Sequence, residues 1–172
     1  TLLDIFNKVC SAIEYGHSKD ILHLDLKPEN IHVGEYGEVF VVDWGLASES
    51  QPPSENTCFD QLTTMVNLAR LPLMGTPGYM SPEQINKPSD ELDIATDIYA
   101  LGAILYSILS LTRPCKSTDT DQIIVETLSD KFISPIERSK DRPIPLALNA
   151  VVCKAMERNP ADRYQNVRDL MN

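Results

Sequence analysis

His23-Leu24-Asp25-Leu26-Lys27-Pro28-Glu29-Asn30 is the stretch whose reading decides the fold. It sets a carboxylate, an ammonium and a carboxamide at positions 25, 27 and 30. Pro28 has no backbone N–H and is excluded from a helix interior or a central strand, so the segment reads as a rigid loop. Ile31–Val33 and Glu38–Val42 read as two short strands, joined by the turn Gly34-Glu35-Tyr36-Gly37. A hairpin of that length returns the chain to its start. It therefore brings a second acid, Asp43 of Val41-Val42-Asp43-Trp44-Gly45, beside Asn30.

These groups suggest a chemistry. Asp25 can accept a hydroxyl proton, and Lys27 can balance charge on a transferring phosphoryl group. Asn30 and Asp43 offer hard oxygen donors that suit Mg2+. Any one of these residues alone would be ordinary in a polar turn. The set at this spacing points to phosphoryl transfer.

On these residues the chain resembles the C-terminal lobe of a eukaryotic-like, bacterial-type serine/threonine protein kinase. Asp25, Lys27 and Asn30 match that family's catalytic loop, and Asp43-Trp44-Gly45 matches its metal-binding DFG motif. Gly75-Thr76-Pro77-Gly78-Tyr79-Met80-Ser81-Pro82-Glu83 resembles the peptide-docking segment that ends in the APE motif, with Ser81 in place of alanine. The resemblance implies ATP and Mg2+ as cofactors, with Mn2+ able to substitute, and a protein substrate. It implies that Lys27, Asn30, His32 and Asp43 contact the nucleotide and its metal. Thr76, Gly78 and Tyr79 would shape the site for the acceptor. Glu83 would pair with Arg163, Asp97 would hold the backbone near His23 and Leu24, and His23 would pack under the loop. His32 stands where the family has an apolar residue beneath adenine, and an imidazole can stack on a base. Trp44 would pack toward a helix of the other lobe.

Two departures from the family pattern agree with each other. Leu24 replaces the arginine that pairs with a phosphate on the activation segment, and leucine has no charge to offer. Pro72 lies about where many kinases carry a phosphorylated threonine. Both halves of that switch are expected to be missing.

The fold class expected is mainly α: a helical bundle around a buried central helix, with a small hairpin at the active-site edge. Leu2, Ile5, Phe6, Val9 and Ile13 recur at helical spacing, and Gly16 is a plausible stop. Ile21-Leu22 reads as a short strand. Leu46–Met74 is irregular, with a short helix expected at Met65–Leu71. Thr96–Leu109 is apolar on nearly every face and belongs inside a protein, with Thr96 as a candidate cap. Helices are also expected at Asp119–Asp130, with Ile123, Ile124 and Leu128 inward, at Leu146–Arg158, and at Ala161–Asn172.

Length and composition agree with one domain over 1–172. A chain of 172 residues can bury about 70% of its unfolded surface. Twenty-five acids against 15 bases give a net charge of −10, which argues against nucleic acid or an anionic membrane as partner. Four dispersed cysteines form no CxxC pair and read as reduced thiols, consistent with a cytoplasmic domain whose parent protein can still carry an anchor elsewhere. There is no G-x-G-x-x-G loop and no sheet to carry a phosphate-gripping lysine. The chain therefore reads as a lobe that works with its own N-lobe and is inactive alone. Two alternatives remain at this level: a pseudokinase binding module, and a small-molecule phosphotransferase of the aminoglycoside or choline kinase type. Lys27 and the 75–83 segment argue against the second.

Overall fold

In the computed structural model the described residues are 1–44, 48–49, 75–129 and 131–172. They form a mainly helical molecule built on one long buried helix. That helix, α3 (Ile94–Ser110), follows α1 (Leu2–His17) and the short α2 (Pro82–Asn86). After it come α4 (Thr120–Leu128), α5 (Pro135–Arg138), α6 (Leu146–Ala155) and α7 (Val167–Met171). Four short strands form two antiparallel pairs. β2 (Ile31–Val33) pairs with β3 (Val39–Val41), and β1 (Ile21–Leu22) pairs with β4 (Ser48–Glu49).

α3 is buried on nearly every face because its sequence is apolar on nearly every face. Ile98, Leu101 and Ala103 are fully buried, and each large one contributes roughly 1.5–3 kcal/mol of burial free energy. α1 packs on it through Phe6, Val9, Cys10 and Ile13; α6 brings Val152 and Ala155; α7 brings Val167 and Leu170. Burial pushes the Cys10 thiol up to about 12, so it behaves as a small hydrophobe. The helix begins two residues earlier than expected. Asp93, not Thr96, is its cap, with Oδ1 accepting from Ala95 N–H at 2.8 Å. Leu111, in the left-handed region at φ 56°, ends it.

Contact with α6 explains Gly102. A Cβ there would stand 2.8 Å from both Ala155 Cβ and Met156 Cγ, so the two helices touch where a side chain is missing. Gly16 has a similar reason. It is not the end of α1, which continues to His17 with Ser18 as C-cap. A Cβ at 16 would come within 3.0 Å of the Trp44 ring, which lies against that point of the helix. Trp44 therefore packs inward, onto α1 and His23, rather than away from the chain.

The hairpin is narrower than expected, with β3 at Val39–Val41. Gly34 N–H donates to Glu38 O at 2.8 Å and Gly37 N–H to Gly34 O at 3.1 Å, closing the turn. Gly37 takes φ 85°, a left-handed value that glycine allows without strain. Ile31, Val39 and Val41 pack on the core, whereas His32 and Phe40 pair on the opposite face. Lys8 Nζ ties the turn to α1 through Gly37 O at 2.6 Å.

In the C-terminal half several expected helix bounds are corrected. Residues 161–172 do not form one helix: Pro160 starts a single tight turn, Pro160–Asp162, and α7 begins only after the Asn166 cap. α6 stops at Ala155, and α4 at Leu128 with Asp119 as its cap. On α4, Ile123 is buried while Ile124 is half-buried. The expected helix at Met65–Leu71, and Pro72, lie outside the described residues.

The break at 160–166 turns Arg163 into the interior. It is 2% exposed, with Nη1 donating to Glu83 Oε1 at 2.6 Å and Nη2 to Oε2 at 2.8 Å. Its remaining N–H groups reach Ala95 O, Glu157 O and Arg158 O, and Thr96 Oγ1 also donates to Glu83. Burial pushes the Glu83 carboxyl up, but the hydrogen bonds and charge of Arg163 outweigh it, and the net pKa lies below the ordinary value. This pair fastens α2, the start of α3 and the C-terminal segment into one junction.

Two outcomes follow for stability. Gly102→Val should cost about 1–3 kcal/mol in urea unfolding, because the side chain enters a filled helix contact. Arg163→Met should cost about 3–5 kcal/mol by leaving Glu83 buried and unpaired. Because the folded-state pKa of Glu83 is depressed, its stabilisation is complete above the ordinary value of 4.5 and is lost as pH falls through the lower folded value. Acid titration of stability should show this limb in the wild type, and the Glu83→Gln/Arg163→Met double variant should lack it.

Candidate active site

The loop 23–27 leaves β1 and runs over the N-terminal end of α3. Asp97, in the first turn of that helix and 1% exposed, accepts His23 N–H on Oδ2 at 2.8 Å and Leu24 N–H on Oδ1 at 2.9 Å. A buried carboxylate needs such partners, and the loop supplies them. His17 Nε2 lies 2.8 Å from the same Oδ2, and since a carboxylate only accepts, the ring donates. Leu24 sits at φ 65° and joins Leu22 and Leu92 in a small apolar cluster. That packing accounts physically for leucine at this position.

His23 is fully buried. Its Nδ1 accepts Asp25 N–H at 3.3 Å and its Nε2 donates to Val42 O at 3.1 Å, so one tautomer satisfies both. The Trp44 ring lies 4.6 Å away, centroid to centroid, and Trp44 Nε1 donates to Val41 O. His23 thus joins the loop to the end of β3 from below.

Above it, three polar side chains close a triangle. Lys27 Nζ donates to Asp25 Oδ2 at 2.8 Å and to Thr76 Oγ1 at 2.7 Å, and Thr76 donates to Asp25 Oδ1 at 2.8 Å. Asn30 Nδ2 donates to Asp25 O at 2.9 Å and to Oδ2 at 3.3 Å. Asp25 side-chain oxygens therefore hold three donors, where a carboxylate has room for about four. One acceptor position on Oδ1 remains for an incoming hydroxyl. Asp25 is 8% exposed, so its charge is only partly screened by water.

Thr76 reaches the triangle because Gly75 takes φ 120° and Gly78 φ 98°. A Cβ at Gly75 would also meet Leu24 O at 3.1 Å. Gln84 makes a second tie between the segments: its Nε2 donates to Leu24 O at 2.8 Å. Tyr79 turns inward, 6% exposed, and packs in the core, so it supports this segment from within.

Asp43 stands apart from the triangle, exposed and at φ 63°. Val42 N–H donates to Asn30 O at 2.9 Å, which brings the residue before Asp43 against Asn30 at the open end of the hairpin. Asn30 Nδ2 is committed to Asp25, which leaves its amide oxygen as an acceptor, and Asp43 is an exposed carboxylate. An amide oxygen and a carboxylate are the hard donor types that would suit Mg2+. The crevice among Leu24, Asp25, Thr76 and Gln84 is tightly packed. His32 lies on the outer face of the hairpin, next along the strand from that edge.

The sequence pattern did not single out Gln84 or His17. Gln84 lies one residue beyond the recognised segment, and His17 lies 80 residues from its partner. Only the Ser81-x-x-Gln84 capping-box spacing marks Gln84 in the sequence, and the structure does contain that box.

Comparison with known proteins agrees with this geometry. The family model described as protein kinase domain matches residues 1–172. A serine/threonine-protein kinase PknD of Chlamydia trachomatis serovar D is 38% identical over 180 residues, covering 99% of this chain and 19% of that protein. The PknD of Chlamydia abortus is 41% identical over 177 residues, and that of Protochlamydia amoebophila 36% over 176, each covering 99% of this chain and 18% of the relative. The chain thus spans under a fifth of the length of these relatives. With the family model matched end to end and the loop, hairpin and docking segment assembled around one buried helix, the chain belongs to the protein kinase domain family.

Proposed function

We propose that residues 1–172 are the C-terminal lobe of a serine/threonine protein kinase and carry the catalytic half of its active site. The observation that supports this best is the Asp25–Lys27–Thr76 triangle, to which Asn30 is hydrogen-bonded through Nδ2, with Asp43 following the Val42 that bonds Asn30 O. ATP would supply the transferable γ-phosphoryl group, leaving as ADP, and its Mg2+ would neutralise charge on the phosphate oxygens. Asn30 and Asp43 would hold that metal. Asp25 orients the acceptor hydroxyl through its open Oδ1 position and takes its proton. Lys27, anchored by Asp25 and Thr76, faces the negative charge of the transferring group. Thr76 keeps the two aligned, and the 75–83 segment around Gly78 positions the peptide carrying serine or threonine. His32 lies under the base. Leu24 removes the usual phosphate partner, so this reading includes activity without phosphorylation of the activation segment.

The parent protein would supply the N-lobe and work in the cytoplasm, where ATP is available. Among the described residues no helix is long and apolar enough to cross a membrane.

In the full-length protein, Asp43→Ala should lower kcat by roughly 10³-fold or more, from the loss of several kcal/mol of transition-state stabilisation. Thr76→Ser should retain most activity, because the hydroxyl is kept. The assay is ATP-dependent phosphate transfer to a panel of proteins, with aminoglycosides and choline as comparators. Normal transfer by Asp43→Ala would refute the metal assignment, and transfer only to the small molecules would refute the substrate class.

The 172 residues alone should bind ATP weakly and show no turnover, because they contain no glycine-rich phosphate loop. Calorimetry and a kinase assay on the isolated chain check this. Robust turnover would show that the missing contacts are not needed.

A further inference from the structure

A sizeable space among the described residues lies away from the loop. A cavity of about 490 Å³ opens on the other side of α2, among the segment after α3, α4, α5 and the end of α6. None of Asp25, Lys27, Asn30, Asp43 or Thr76 lines it. Its volume is that of a small-molecule site.

Its wall is chemically biased. Four cationic side chains line it, Lys116, Lys131, Arg138 and Arg158, against two acids, Glu126 and Glu157. This local excess of positive charge occurs in a chain whose net charge is −10. Glu126 Oε2 accepts Lys116 N–H at 2.7 Å, and Arg138 Nη2 donates to Cys115 O at 3.4 Å. The rest of the lining offers apolar and soft surface, with Phe132, Ile133, Pro114 and the Cys153 thiol.

Behind this wall lies an unsatisfied donor. Tyr106 is fully buried, and its hydroxyl has no hydrogen-bond partner among the described residues. Its ring meets Phe132 edge-on at 6.2 Å, and Arg138, Cys115, Glu137 and Cys153 act on it electrostatically. An orphaned buried hydroxyl costs about 1–3 kcal/mol, a cost that persists where a site is built for something else.

We infer that this cavity is a second ligand site, separate from the phosphoryl-transfer site, that takes a small amphipathic organic anion: a flat apolar body bearing one sulfonate, carboxylate or phosphate. The apolar body packs on Phe132 and Ile133, and the anionic group faces Lys131 and Arg138. Burial raises the pKa of the Cys115 and Cys153 thiols, so they act as packing surface rather than as nucleophiles at neutral pH.

The probe is 8-anilinonaphthalene-1-sulfonate, with the uncharged N-phenyl-1-naphthylamine as comparator, both on the full-length protein. The site-specific readout is alkylation of Cys153 by iodoacetamide at raised pH, followed by peptide mass spectrometry. The sulfonate should slow Cys153 alkylation about fivefold or more, and the neutral amine should do so much less. Lys131→Glu reverses an exposed charge on the wall and should raise the sulfonate concentration needed about five- to tenfold, with phosphate-transfer activity unchanged. If Cys153 alkylates too slowly to follow, the fluorescence titration of the sulfonate on wild type against Lys131→Glu decides by the same fold-change. Equal protection by the two probes, no protection of Cys153, or a titration indifferent to Lys131→Glu would overturn the inference.

Discussion

One buried carboxylate organises the molecule. Asp97 lies in the first turn of a helix with almost no polar face, at 1% exposure, and an unpaired charge there would be costly. It is satisfied by the backbone N–H groups of His23 and Leu24 and by the His17 ring. The electrostatic need of the helix end thus dictates the path of the loop. Because α3 is held by core packing along its length, the loop inherits that rigidity. Asp25 and Lys27 are aimed by a structure that has no part in their chemistry.

A second buried junction fixes the other side. Glu83 and Arg163 meet with two short hydrogen bonds, and Arg163 also engages three carbonyls. Every donor direction of the guanidinium is used, which is the condition under which a buried ion pair is tolerated. Gln84, next to Glu83, then reaches Leu24 O. Thr76 is therefore held against Asp25 by two independent constraints, the glycine turns at 75 and 78 and the anchor at 83–84. A hydroxyl at 2.7–2.8 Å from both Lys27 and Asp25 depends on that double restraint.

Much of the scaffold was readable because its signals are local. The period of α1, the all-apolar face of α3, the Gly34–Gly37 turn and the proline breaks each carry a short-range cause. What was misread shares a different feature. Helix ends moved by a few residues because caps compete within a few positions, as Asp93 did with Thr96. The last helix was divided because Arg163 is pulled inward to a partner 80 residues away. Gly16 carries the local signature of a helix stop, whereas its lack of a side chain answers to Trp44 at the end of the hairpin.

For the candidate site, residue types and spacing point to Asp25, Lys27, Asn30 and Asp43, since loop and hairpin geometry follow from proline, glycine and strand length, while Thr76 enters through the family resemblance; the structure brings Asp25, Lys27, Asn30 and Thr76 into hydrogen-bond contact. Distance along the chain hid the remainder. His17 with Asp97, Gln84 with Leu24, and the cations gathered around the Phe132 cavity are each joined by packing between elements far apart in order. No local pattern encodes such meetings. They arise only when a shared apolar core draws the helices together and each buried polar group takes the partner then within reach.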